Sequence, residues 1–184
     1  LVLDYSIGVR AQDLHICSYI LEANKGLIFL MNKYDLMENK EKEMTRVLNI
    51  LKNRFDFLSW SPIIFTSAKN HKNLDKIFEN AAQIYLERQK EIEHQVLVSF
   101  LQEAIHQHQA PSAGRKKLYF YDIIQTGNNP PTFRLTVNNN DVIHFSYQRY
   151  LENKFREKFG FLGTAILFEY QNLEPKLIRK TEFL

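Results

Sequence analysis

Residues 28–36 read IFLMNKYDL. The apolar run that ends at Met31 stops at once on an amide, a cation, a phenol and a carboxylate: Asn32, Lys33, Tyr34 and Asp35. An unbroken apolar run of strand length over Leu27–Met31, without polar alternation, predicts a strand buried on both faces, as in a parallel sheet. Ligands of such sheets bind beyond the carboxyl ends of the strands. The polar residues at 32–35 therefore stand where a ligand site is expected.

The flanking chain repeats this grammar. LVLDY (1–5) and PIIFTS (62–67) read as further strands. AQDLHICSYILEANKG (11–26) reads as a helix, with Leu14, Cys17, Tyr19, Ile20 and Leu21 at helical spacing and Gly26 as its stop. Residues 38–58 form a charged amphipathic helix with Met44, Val47, Leu48 and Leu51 on one side. Residues 72–90 form another, with Leu74, Ile77, Phe78, Ala81, Ile84 and Tyr85 expected inward. Strand and helix alternate through residues 1–90, which predicts an α/β domain of parallel strands with crossover helices.

Beyond the polar stretch RQKEIEHQ (88–95) the pattern changes. VLVSFLQEAIHQH (96–108) is a helix with Val96, Phe100, Leu101, Ala104 and Ile105 inward, and QAPSAGRKK (109–117) a loop. LYFYDIIQT (118–126) and FRLTV (133–137) are strands joined through the turn GNNPPT (127–132). SYQRYLENKFREKFG (146–160) is a helix stopped by Gly160, with Tyr147, Leu151, Phe155 and Phe159 four apart; TAILFEYQ (164–171) is the last strand. Residues 91–171 thus read as a small α+β domain, and residues 172–184 as a tail.

Composition narrows the function classes. The 184 residues carry 45% hydrophobic side chains, enough for a core, and no apolar run approaches the roughly 20 residues a membrane span needs. LVLDYSIGVR lacks the basic start and cleavage site of a signal peptide. The single Cys17 allows no internal disulfide and fits a reducing, cytoplasmic setting, as a small buried side chain. The net charge of +3 permits contact with RNA without demanding it. The chain opens without Met inside a strand, as a fragment of a longer protein is expected to do.

The strand ends suit one base. Guanine presents two donors, N1–H and the 2-amino group, on one edge, and a carboxylate matches them bidentately; adenine offers an acceptor and a C–H there. Asp35 is the candidate carboxylate. Lys33 can lay its aliphatic stem along the base with the ammonium in water, and Asn32 can hold the loop and meet the O6/N7 side. At the next strand end, TSAK (66–69), small residues allow close backbone approach, and the Ala68 N–H can donate to O6. Thr66, Ser67, Ala68 and Lys69 thus complete the candidate set.

On these motifs residues 1–90 resemble the second half of a Ras-like GTPase domain. The whole chain resembles the C-terminal part of the Der (EngA) family, bacterial ribosome-assembly GTPases with two tandem G domains and a KH-like domain. Residues 1–36, SPIIFTSAK (61–69), GNNPPTFRLTVNN (127–139) and HFSYQRYLENKFREKFGFLGT (144–164) carry the resemblance, which extends over residues 1–171. Tyr34 stands where the family usually has Trp. The resemblance implies that the parent binds GTP or GDP with Mg²⁺, hydrolyses GTP and helps assemble the large ribosomal subunit. It implies rRNA contact through the KH-like domain and the upstream G domains of the same chain as partners.

No G-x-x-x-x-G-K-[ST] loop and no D-x-x-G switch occur in the sequence. By the resemblance both lie upstream of Leu1, so this chain alone is not expected to hydrolyse GTP. Asp4 reads as a loop or cap residue. The strand LVLDY is expected to have an open outer edge, with weak amide protection at Val2 and Leu3. Arg115, Lys116 and Lys117, with Tyr119 and Tyr121 nearby, are candidates for RNA contact; Arg149, Lys154, Arg156 and Lys158 stud the later helix. The spelling GFLG (160–163) matches the RNA-gripping loop of KH domains but precedes a strand, and reads as a helix stop and turn. The six histidines show no ligand spacing. A different class of reading is a non-catalytic RNA- or protein-docking module in which the G-domain remnant is scaffold.

Overall fold

A computed structural model describes residues 1–55, 58–110, 112–113 and 116–173. The chain divides into two compact units. One holds Leu1–Glu87 together with Phe161–Ala165, the other Arg88–Gly160 with the chain from Ile166.

In the first unit, β1 (Val2–Asp4), β2 (Phe29–Asn32) and β3 (Ile63–Phe65) form a parallel sheet in that order. Helices α1 (Ala11–Glu22), α2 (Lys40–Arg54) and α3 (Asp75–Arg88) follow the strands in turn, as a parallel sheet requires of its crossovers. Local signals set the helix starts. Asp13 accepts the Arg10 N–H at 2.7 Å before α1, and Asn39 accepts the Lys42 N–H at 3.2 Å before α2. The ladder aligns Leu3, Met31 and Phe65 on one face, all buried against Cys17 of α1 and Val47 and Leu51 of α2. Val2, Leu30 and Ile64 share the opposite face, where cover thins from buried Ile64 through half-buried Leu30 to Val2, which is 62% exposed. The expected burial on both faces therefore holds only toward β3.

Several helix faces differ from the periodic reading. On α3 only Ile84 is buried; Phe78, Ala81 and Tyr85, expected inward, are exposed, as is Leu86. Tyr19 on α1 and Leu48 on α2 also reach solvent. An apolar stripe in sequence shows that a helix has a face to bury, but a neighbouring layer must be present to bury it.

The segment Phe161–Ala165 lies in the first unit. Gly163 accepts the Leu27 N–H at 2.8 Å and donates to the Trp60 carbonyl at 2.8 Å, bridging the chain ahead of β2 and of β3. Gly163 has φ +71°, and a Cβ there would lie 2.2 Å from Ile84 Cδ1. Gly160 does stop its helix, with φ +85°, but the rest of GFLG is a packing element of the parallel unit.

In the second unit α4 (His94–Gln107) precedes a sheet in which β7 (Pro131–Val137) is central. It pairs antiparallel with β6 (Phe120–Asn128) and parallel with β8 (Leu167–Asn172). Helix α5 (Phe145–Phe159) buries Tyr147, Leu151 and Phe155; the Phe155 ring meets Phe100 of α4 and Phe133 of β7, and the Tyr147 ring meets Phe120 of β6. On α4 the buried set is Leu97, Phe100, Leu101 and Ala104, so Leu97 takes the place expected for Val96, which is exposed. The hairpin is tighter than the turn-rich sequence suggests. Asn128 pairs with Pro131, leaving Asn129 and Pro130 as the turn. The expected loop 109–117 contains a short ladder, β4 (Ser112–Ala113) with β5 (Lys116–Lys117). The tail beyond residue 173 lies outside the described residues.

Two expectations follow. On β1, Leu1 and Tyr5 bond to β2, through Leu30 N–H to Leu1 O at 2.9 Å and Tyr5 N–H to Asn32 O at 3.0 Å. Alternate residues of a parallel strand face one neighbour, so Leu3 also faces β2 while Val2 and Asp4 face the open edge. This revises the reading for Leu3. Hydrogen exchange should find Val2 and Asp4 unprotected and Leu3 protected; slow exchange at all three would mean that another strand covers the edge. Separately, Gly163→Ala should destabilise the first unit by about 2–4 kcal/mol in urea unfolding, since it adds left-handed strain to overpacking at Ile84.

Candidate functional site

The candidate site forms at the carboxyl ends of β2 and β3. Thr66 N–H donates to Met31 O at 2.9 Å, and Tyr34 N–H donates to Thr66 O at 3.0 Å. These two bonds carry the parallel ladder past the strands, holding both motif loops in register. Lys33 takes the left-handed conformation, φ 64° and ψ 33°, uncommon outside glycine. That reversal starts a single 3₁₀ turn, Tyr34–Leu36, closed by Leu36 N–H to Lys33 O at 3.0 Å.

The turn brings Asp35 to the second loop, where its Oδ1 accepts the Ser67 hydroxyl at 2.5 Å. Ser67 and Lys72 exchange both backbone bonds, at 3.2 and 3.0 Å, closing residues 67–72 into a compact loop; Asn70 N–H donates to Ser67 Oγ at 3.2 Å. Ser67 is buried, so its hydroxyl is a fixed donor. That hydrogen bond is the main reason the Asp35 carboxyl lies below the usual carboxylate range, with the charges of Lys69 and Lys33 acting in the same direction. Asn32 links the two loops, its Oδ1 accepting the Ala68 N–H at 3.1 Å. The Ala68 amide is thus engaged by Asn32. The Tyr34 ring packs toward Phe65, centroids 6.2 Å apart, with the ammoniums of Lys40 and Lys72 at 5.2 and 5.5 Å from its centroid.

The sequence reading missed two residues here. Asp4, at the end of β1 and in register with Asn32, meets Lys33 Nζ through Oδ2 at 2.8 Å. Its Oδ1 accepts both the N–H and the hydroxyl of Ser6, at 2.9 and 2.6 Å, and Lys33 Nζ also donates to Ser6 Oγ at 3.2 Å. The signal was present in the parallel register, which sets the carboxyl end of LVLDY beside that of IFLMN. By contrast, Cys17 is a buried core side chain whose thiol is pushed up to about 11 by burial.

The basic candidates of the second unit divide. Lys117 is exposed on β5; Arg115 and the side chain of Lys116 lie outside the described residues. On α5, Lys154 pairs with Glu157 at 2.9 Å, Arg156 with Glu152 at 2.9 Å and Lys158 with Glu103 at 2.7 Å. Among the described residues no helix is long and apolar enough to cross a membrane, and no group of three or more His, Cys, Asp or Glu could hold a metal ion.

The parallel α/β unit thus carries N-K-Y-D and T-S-A-K at adjacent strand ends, and an α+β unit follows it. Residues 91–171 match the family model described as KH-domain-like of EngA bacterial GTPase enzymes, C-terminal. The chain is homologous to GTPase Der: it is 36% identical to that of Clostridium botulinum strain Langeland over 176 residues, which is 96% of this chain and 40% of the relative. It is 39% identical to GTPase Der of Lactobacillus delbrueckii subsp. bulgaricus over 166 residues, 90% of this chain and 38% of the relative. The chain thus spans about two fifths of the length of these relatives. Among solved structures, an Aquifex aeolicus Era variant bound to GDP and AlF₄⁻ aligns with a TM-score of 0.40 and 17% identity, covering 97% of this chain and 66% of that one.

The Asp4–Lys33 contact has a pH signature. Lys33 and Ser6 lower the Asp4 carboxyl to about 2. A carboxyl lowered in the folded state contributes stability that is present above its unfolded value and lost as pH falls through the folded one. The contact should therefore persist through mild acid and break near pH 2. Carbon-detected NMR titration should find the Asp4 midpoint near there, and Lys33→Met should return it toward 3.8.

Proposed function

We propose that this chain supplies the base-reading half of a guanine-nucleotide site in a Der-like GTP-binding protein. One observation carries the reading. The Asp35 carboxylate is held charged and oriented by the Ser67 hydroxyl at 2.5 Å, beside the Asn32 amide and the Ala68 N–H, where two parallel strands end. A fixed acceptor for two donors next to a backbone donor for a carbonyl complements guanine and mismatches adenine. On binding, the Ala68 N–H would turn from Asn32 to O6, or be shared with it. Asn32, Lys33, Asp35, Ser67, Ala68 and Lys69 are the base-site residues in this reading.

In the complete protein the phosphates and Mg²⁺ would be held by a P-loop and switch that this sequence does not contain, and GTP hydrolysis would occur there. The domain assignment is a half G domain over 1–90, a KH-like domain over 91–171 and a tail over 172–184. In this reading the protein works in the cytoplasm, in assembly of the large ribosomal subunit, as the family resemblance implies. Its upstream G domains are partners within the chain, and rRNA contact comes through Arg115, Lys116 and Lys117. The ion pairs along α5 support that choice of surface, because three of its cations are already neutralised by Glu157, Glu152 and Glu103.

The test is nucleotide competition on the full-length protein. Asp35→Ala should weaken GDP binding by about 30-fold or more, the scale of removing one partner of a charged hydrogen-bonded pair. Asp35→Asn should shift preference toward xanthine nucleotides, whose 2-carbonyl accepts from the amide. Unchanged guanine selectivity in Asp35→Asn would overturn the base-reading role.

A further inference from the structure

The geometry points to Asp4 and Ser6 as positioning residues of the same site: the end of β1 holds the Lys33 ammonium and so lays the lysine stem in place as a wall for the bound purine. The inference rests on the guanine-site reading above. Lys33 leaves β2 in a left-handed conformation, so its side chain begins on a backbone that must itself be held. Its ammonium is then drawn to the β1 side by Asp4 Oδ2 at 2.8 Å and Ser6 Oγ at 3.2 Å. On the other side Asp35 is drawn to Ser67 of the β3 loop at 2.5 Å. Lys33 and Asp35, separated only by Tyr34, are thus pulled to opposite flanking strands, and the lysine stem spans from the end of β2 toward the end of β1.

The anchor is itself built. Ile7 and Gly8 N–H both donate to the Asp4 carbonyl, at 3.2 and 2.9 Å, and Gly8 has φ +74°. With Ser6 bonded twice to Asp4 Oδ1, the turn after β1 is set by the same side chain that meets Lys33. Asp4 therefore does two separable things, one with each oxygen. An anchored lysine loses less side-chain freedom when a base packs on its stem. This predicts an effect on affinity for any base held against that stem, while the choice of guanine stays with Asp35.

Asp4→Asn separates the two roles, because the amide oxygen can still accept from Ser6 while the charge for Lys33 is gone. In the full-length protein, Asp4→Asn should weaken GDP binding about two- to fivefold, with the ratio of guanine to hypoxanthine nucleotide affinities unchanged. Lys33→Met should weaken it similarly, and Asp4→Asn should add nothing in the Lys33→Met background. Unchanged affinity in Asp4→Asn alongside a large loss in Asp35→Ala would overturn the positioning role and leave the guanine site standing. Equal losses from Asp4→Asn with and without Lys33 would overturn it also, because Asp4 would then act through the turn alone. No loss in Asp35→Ala would overturn the guanine reading itself, and this inference with it.

Discussion

Thr66 is bonded to its neighbouring strand through both backbone groups, its N–H to the Met31 carbonyl and its carbonyl to the Tyr34 N–H. The meeting of the β2 and β3 loops depends on that lacing. It extends the parallel ladder beyond the last sheet residues, so two loops far apart in sequence share one rigid frame. Asp35 and Ser67, 32 positions apart, meet at 2.5 Å because of it. A shift of one residue in the β2–β3 register would turn the side chains of one strand end to the opposite face.

The electrostatics of the site grow from this frame. Asp35 is stabilised as an anion mainly by a hydroxyl donor rather than by a close cation. A neutral donor fixes the orientation of one oxygen without neutralising the carboxylate, which remains charged for a ligand's own donors. The nearest cation in sequence, Lys33, is engaged elsewhere, by Asp4 on the far flanking strand. Opposite charges at positions 33 and 35 therefore serve different strands. The separation depends on the left-handed turn at Lys33 between them.

At the other pole of the first unit, Gly163 bonds to Leu27 and Trp60 while Ile84 packs where a Cβ would have been. The parallel unit is thus completed by a segment from far along the chain. A glycine is required there twice over, for its positive φ and for the space. The sheet is consequently held at both ends, by backbone bonds in each case, although each strand has only three or four residues.

Residue patterning alone predicts the alternation of strands and helices, the parallel sheet and the placing of N-K-Y-D and T-S-A-K at strand ends. Those features depend on local patterning and on the general rule that parallel strands aim their carboxyl ends at ligands. It also showed Cys17 as a core residue. Which side of each helix is covered depends on the layers packed against it. Phe78, Ala81 and Tyr85 keep helical spacing with one another, yet they reach solvent because no layer of the first unit lies over them. Partnerships across strands were equally out of reach. Asp4 looked like an ordinary loop carboxylate until register set it beside Asn32 and within 2.8 Å of Lys33. GFLG read correctly as a helix stop at Gly160, but its bonds to Leu27 and Trp60 join residues about a hundred positions apart or more, and no local pattern encodes a contact of that range.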